Sequence, residues 1–257
     1  MFKIKEESKI RIEKFFKIRK LDRFIKLSKN SSKDLSTPYS KSLLKPNLKD
    51  LYFIYNLILK SKRITSLEIG CGYSSEIIAL ALNENKTKYQ NQMKHLRRSH
   101  PFKNFVLDNQ KKYLNILKKR SKYLKNIIFN YSECTVDIIN NNYVLRYQKL
   151  PLISPDFIYI DGPSQDKIKN NIYHFNINDK DLMPIVSDIL LIEYYLIPGT
   201  ILLIDGRGAN AHFLRDNFKR KWNYKYFKYY DMHYFQLNTN SIGPINEKQL
   251  RFFNNNN

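Results

Sequence analysis

The sequence predicts an α/β domain, and three observations lead there. A short apolar run closes on a glycine-rich turn that opens a helix, and further apolar runs recur downstream, several of them ending in an acid. Near the C-terminus two aromatic-rich strand candidates, 222–230 and 233–237, are separated only by Asp231 and Met232, a connection so short that the neighbours run antiparallel. The 257 residues fall within the single-domain range for such folds and suffice for a sizeable core.

The first unit is the most informative. Residues 64–69 are short and apolar enough for a buried strand, and 74–83 (SSEIIALALN) read as a helix with Ser74 near its start. Between them stand Gly70, Cys71 and Gly72. Glycine tolerates the positive φ of a sharp turn and lets a ligand approach the backbone with no Cβ in the way. The helix end that follows offers free N–H groups. A nucleoside-like ligand fits this arrangement, and a plain strand-to-helix turn is the alternative. A dinucleotide fingerprint fits less well, because Ser75 stands where the third glycine belongs and the next acid at a strand end is Asp108.

Four later passages follow in order: 104–108 (NFVLD), 126–130 (NIIFN) leading into Tyr131, Ser132 and Glu133, 155–163 (PDFIYIDGP), and 196–205 (LIPGTILLID). With Glu68-Ile-Gly70-Cys-Gly72 they resemble, over roughly residues 50–240, the motifs of class I S-adenosylmethionine-dependent methyltransferases in the family's own order. The resemblance implies a three-layer α/β sandwich with a seven-stranded, mostly parallel sheet and an antiparallel C-terminal hairpin. It also implies S-adenosyl-L-methionine as cofactor. Carried over residue by residue, Glu68, Gly70, Gly72 and Ser74 belong to the cofactor turn, Asp108 accepts from the ribose hydroxyls, Ser132 and Glu133 lie at the adenine edge, and Asp161 faces the methyl group.

Methyl transfer asks little covalent help of a protein, since the sulfonium is already a good leaving group and alignment lowers the barrier. A hydroxyl or amine acceptor calls for a nearby base. Asp161 and Asp205 would end adjacent central strands and converge on the crevice at the sheet's carboxyl edge. His212, seven residues beyond Asp205 on an expected helix over 209–220, is a third catalytic candidate or else a surface histidine. The metal-dependent catechol-type O-methyltransferases offer a sharper comparison. Asp161 and Asp205 match their two aspartate ligands, but Gly206 occupies the asparagine position and Ser164 replaces a lysine, so no metal is expected. His95 and His100 read as surface histidines.

The organisation expected is a basic helical extension and linker over 1–45, a catalytic domain over 46–245 and a tail over 246–257. Residues 1–30 hold eleven basic and four acidic residues, a surplus of seven, but their apolar residues (Ile10, Phe15, Ile18, Leu21, Ile25) form no clean stripe. The arm either touches a membrane surface or a protein partner or packs on the catalytic domain. Residues 28–42, rich in Ser and Lys with Pro38, read as the linker. The segment 85–103, with its KHLRRSH core, is an extra helix or a lid beside the cofactor, 140–151 adds a strand or hairpin, and 162–181, containing Tyr173 and His174, crosses the substrate side.

A formal net charge of +22, from 45 basic and 23 acidic residues, raises the question of nucleic acid. Abundant Lys, Asn, Ile and Tyr together point to compositional bias and solvated faces instead, so a small-molecule or sugar-containing acceptor is preferred to RNA. An Asn-Pro-Pro-Tyr signature of base methylation is also missing after the 155–160 strand. Two cysteines in different elements make no disulfide framework, and the charged N-terminus lacks an apolar signal core, so a cytoplasmic setting is expected. A catalytically silent nucleoside-binding scaffold is the remaining alternative.

Overall fold

The computed structural model describes residues 4–29, 45–165, 168–169, 172–173, 175–177, 179 and 181–254. In chain order the elements are α1 (Lys9–Ile18), α2 (Asp22–Lys29), α3 (Leu48–Lys60), β1 (Ser66–Ile69), α4 (Tyr73–Tyr89), β2 (Asn104–Asp108), α5 (Lys111–Arg120), β3 (Ile127–Tyr131), β4 (Cys134–Ile139), β5 (Asn142–Tyr147), β6 (Phe157–Ile160), β7 (Ile168–Lys169), α6 (Asp188–Ile192), β8 (Ile201–Asp205), α7 (Gly208–Asn217), β9 (Trp222–Phe227), β10 (Met232–Leu237) and α8 (Pro244–Asn254).

Seven strands form one sheet in the order β3-β2-β1-β6-β8-β10-β9. The first five are parallel, and β10 lies antiparallel to both β8 and β9. β1 and β6 are four-residue runs buried at every position, which is why they read as continuous apolar segments rather than alternating ones. Their side chains still part by pleat. Phe157 and Tyr159 pack with α1, α3 and α4 on one face, whereas Ile158 and Ile160 pack with β4, β5 and α7 on the other. The sandwich is therefore layered as expected, with a class I methyltransferase strand order.

β4 and β5 form a hairpin, turning through Asn140 and Asn141 at φ 49° and 60°. With β7 they make a separate three-stranded sheet. Tyr173 in the long connection is exposed, and His174 lies outside the described residues.

Several boundaries differ from expectation. The arm is part of the main core: Ile12, Phe16, Phe24 and Ile25 are buried with α3, while Ile10 and Ile18 face solvent. Ser28 and Lys29 finish α2, and the rest of the expected linker lies outside the described residues. Helix α4 runs to Tyr89 and passes into a 3-10 turn, Gln90–His95. The segment after it is no lid beside the cofactor, because a helix leaving the carboxyl edge delivers its chain to the amino edge, where the His100 carbonyl accepts from Thr65 just before β1. β9 stops at Phe227, since Lys228–Tyr230 form a 3-10 turn and Asp231 adopts φ 51°. Part of the expected tail is α8, with Phe252 and Phe253 buried.

One buried ionic centre ties the amino edge together. Asp156, wholly buried, accepts from the Ile64 and Thr65 amides at 2.9 and 3.2 Å and pairs with Arg98. Arg63, also buried, donates to the Gly199 and Ser61 carbonyls at 2.8 Å each, and burial pushes its pKa down to about 10. Removing one member leaves the others charged or unpaired in a dry interior. Asp156→Ala is expected to cost about 3–5 kcal/mol of stability in urea unfolding; a loss under about 1 kcal/mol would show that water replaces the carboxylate.

Candidate active site

The carboxyl ends of β2, β1, β6 and β8 are adjacent in the sheet, and their loops shape one crevice. Gly70 sits at φ +92°, and a Cβ there would lie 2.6 Å from the Gly162 amide nitrogen; a Cβ on Gly162 would lie 2.5 Å from the Gly70 Cα. The positive φ is that of the sharp turn the sequence reading expects, while the missing Cβ of Gly70 makes room for the neighbouring loop rather than for a ligand. Gly72 is different: its φ of −161° suits any residue, and a Cβ would meet only Ser74 within 4 Å, at 3.5 Å or more. The side on which Gly72 lacks a side chain is open.

Glu68 and Ser74 satisfy each other beneath the turn. The Ser74 hydroxyl donates to the wholly buried Glu68 carboxylate at 2.6 Å, and Asn104 donates at 3.1 Å. Burial outweighs these bonds and pushes the Glu68 pKa up to about 8. Asp108 locks the turn from β2, accepting from the Cys71 amide at 2.9 Å and the Gln110 amide at 2.7 Å. Its pKa is raised by burial against those same bonds. The Cys71 thiol donates to it as well, and since a carboxylate has about four acceptor positions, one remains for a further hydroxyl.

A brace not visible in the sequence holds α4 from outside. Arg120 donates to the Gly72 carbonyl at 2.7 Å, stacks on Tyr73 and pairs with the buried Glu76. Arg23 of α2 reaches the same carboxylate at 2.6 Å, and the Tyr123 hydroxyl at 2.9 Å. The basic arm thus fastens the first turn of the helix that follows the glycines.

Ser132 lies beside Asp108, its amide donating to the Asp108 carbonyl at 3.2 Å, but its hydroxyl is engaged by the Lys149 amide and the Glu133 carbonyl. Glu133 turns its carboxylate to Lys169. Tyr147, on β5, was not singled out from the sequence. Its buried hydroxyl has no partner among the described residues; burial raises its pKa first, then the charge of Asp108, with Arg207 opposing.

Asp161 and Asp205 come together with two acids that sequence reading missed, Asp50 and Asp231. The Asp161 side chain is 49 % exposed yet walled by strand ends; the loss of bulk water raises its pKa, and Arg207 counteracts with Nε 3.8 Å from Oδ1. Asp205 accepts from the Tyr159 hydroxyl at 3.0 Å, and burial followed by the charges of Asp161 and Asp50 pushes it up to about 8. Burial and the charges of Asp161 and Asp231 push Asp50 up to about 7. Asp231 is fixed by Tyr226 at 2.7 Å, and its backbone carbonyl accepts from Gly206 at 2.9 Å. His212 is not brought to these carboxylates: it is exposed on α7, its ring 6.0 Å from that of His233. Among the described residues no group of three His, Cys, Asp or Glu could hold a metal ion.

No family model and no curated protein matches the sequence. Solved structures similar in shape include the O-methyltransferase TomG from Streptomyces achromogenes in complex with SAM, at 10% identity and a TM-score of 0.39, covering 91% of this chain and 92% of that one. The Podospora anserina methyltransferase PaMTH1, bound to SAH, has 10% identity and a TM-score of 0.43 over 93% of this chain and all of that one. An O-methyltransferase from Bacillus cereus in complex with SAH has 13% identity and a TM-score of 0.38, covering 91% and 92%.

Glu68 makes a pH test of this geometry. A carboxyl whose folded pKa is raised binds more protons folded than unfolded, so its contribution is complete below about 4.5 and is lost as pH rises toward about 8. Measured as the difference between wild type and Glu68→Gln, which cancels the general charge, stability should fall over that window. A difference that stays flat or rises would mean that Glu68 is ionised in the fold.

Proposed function

We propose that this chain is an S-adenosylmethionine-dependent methyltransferase acting on an oxygen or nitrogen of a small molecule. The observation that carries the reading is the strand order ending in β8-β10-β9, with β10 antiparallel, combined with a glycine turn tied to the acid that ends the next strand. A dinucleotide-binding oxidoreductase would continue with parallel strands. The residues present fit the cofactor: Asp108 keeps an acceptor position for a hydroxyl, Gly72 leaves open space at the start of α4, and Tyr147 offers an orphaned hydroxyl. Ser132, next to Asp108, borders the base.

The bound cofactor supplies an electrophilic methyl group, and the protein's task is to place a nucleophile in line with it. Asp161, its pKa raised by burial against the opposing charge of Arg207, is the base that takes the acceptor's proton. Asp205 acts from behind it, held by Tyr159. The acids gathered at the crevice, with Asp205 and Asp50 held near neutrality, give a phosphate chain little to bind, which favours a neutral or cationic small acceptor over RNA despite the charge of the whole protein. A divalent cation would meet the Arg207 guanidinium beside Asp161, so methyl transfer is proposed to proceed without one.

S-adenosylmethionine and S-adenosylhomocysteine should each raise the melting temperature, by roughly 2.7 kcal/mol of stability at about 100 times the dissociation constant, while NAD should not. Asp108→Ala should weaken both through loss of hydrogen bonds worth roughly 1.5–3 kcal/mol each. Gly72→Val should block binding in a folded protein, whereas Gly70→Val should unfold it. Response to NAD alone would overturn the assignment.

Asp161→Asn should lower turnover by about 100-fold or more with the cofactor still bound, as expected for a lost general base. Chelation by EDTA should leave wild-type turnover unchanged. Restoration of a chelated enzyme by magnesium would show that a cation displaces Arg207.

A further inference from the structure

A cavity of about 880 Å³ lies at the amino edge of the sheet. β1 and β6 are four residues long, so roughly 13 Å of strand separates it from the crevice described above. Its volume lies in the range of sites that enclose small organic molecules. Leu150, Ile153, Ile192 and Ile197 line it, and its rim carries Leu152, Tyr195 and Ile242, which are 99%, 79% and 69% exposed. Apolar side chains gathered so openly around a concavity mark a binding surface.

The polar part of the lining has one sign. Arg97, Arg98 and His100 contribute to it, and no Asp or Glu does. Arg98 is the informative residue. Its side chain is only 5% exposed; Nη1 donates to the Ser154 carbonyl at 2.9 Å and Nη2 pairs with Asp156, but Nε has no acceptor among the described residues. A buried guanidinium N–H left without an acceptor calls for one. Asp156 faces two buried guanidiniums, Arg98 and Arg63, so positive charge remains there in addition to that of the exposed Arg97.

We infer that this cavity binds an anionic amphiphile, a carboxylate or phosphate head on an acyl or aryl body. The head meets the exposed Arg97, over the buried Arg98 guanidinium, and the body lies along the isoleucines. Arginine suits both oxyanions because its donors are planar and paired. The inference does not depend on the methyltransferase reading, since the two sites occupy opposite edges.

Calorimetry on the full chain with dodecanoate and dodecyl phosphate, below micelle formation, tests it. One-site binding is expected for both. Dodecyltrimethylammonium, with the same tail and the opposite charge, and inorganic phosphate, with no tail, should each bind at least about tenfold more weakly, the scale of one charged hydrogen bond. Arg97→Glu should weaken the dodecyl anions by a similar factor, and Ser99→Trp, an exposed lining position, should block them without lowering the melting temperature. Competition by phosphatidylglycerol vesicles would identify the anion as a lipid headgroup, and its absence a free amphiphile. Equal binding in both variants, or inorganic phosphate binding as tightly as the dodecyl anions, would overturn the inference.

Discussion

The contact between the Gly70 and Gly162 backbones is the constraint on which the site depends. Neither position has room for a methyl group, so the loops after β1 and β6 touch main chain to main chain. On the other side the turn is fastened to β2, where the Gly70 amide donates to the Leu107 carbonyl at 2.8 Å and Cys71 to Asp108. A turn clamped between two neighbours keeps its shape before any ligand arrives, which lowers the entropy a ligand would otherwise have to supply. Asp161, one residue before Gly162, inherits its position from the same contact, its amide donating to the Ile69 carbonyl at 2.9 Å.

Around this fixed turn the charges divide by function. The protein as a whole is strongly basic, yet the crevice gathers Asp50, Asp161, Asp205 and Asp231. Such a cluster persists only because its members share protons: burial and mutual repulsion hold Asp205 and Asp50 near neutrality, and Tyr159 and Tyr226 occupy single oxygens. The basic arm has an analogous division. Arg23 and Arg19 are taken up by Glu76 and Glu84 on α4, while other lysines stay in solvent. The surplus counted along the sequence is therefore not all available to a partner.

How much of this was legible depends on the range over which each feature is encoded. Asp108, Asp161 and Asp205 close apolar runs and Glu68 lies one residue inside its own, so the runs locate them, while the resemblance to the methyltransferase motifs supplies their expected roles. Asp50 and Asp231 could not be found that way: one reads as an acid in a helix's first turn and the other as a turn residue, and only packing sets them beside Asp205. Nothing local in Arg207, next to Gly206, announces its pairing with Asp161. The turn conformation of Gly70 is legible locally, but nothing local announces that Gly162, 92 positions away, fills the space of its missing side chain. Residues 140–151 do supply the strand expected there, β5, but its partner β4 and the turn at Asn140 and Asn141 are not read from the sequence.

The KHLRRSH segment shows the same limit with charge. Written out, its basic residues are equivalent; folded, they are not. Because α4 starts at the carboxyl edge, the chain after it arrives at the amino edge, where the backbone amides of Ile64 and Thr65 already converge on the Asp156 carboxylate. A buried carboxylate needs a cation more than it needs amides, and Arg98 is the one drawn inward to 5% exposure while its neighbour Arg97 stays in water. Asp156, held by the inward arginine, joins β1 to β6 from below, as the glycine pair joins them from above. The short central strands are thus closed at both ends, by a buried ion pair at one and by the absence of two side chains at the other.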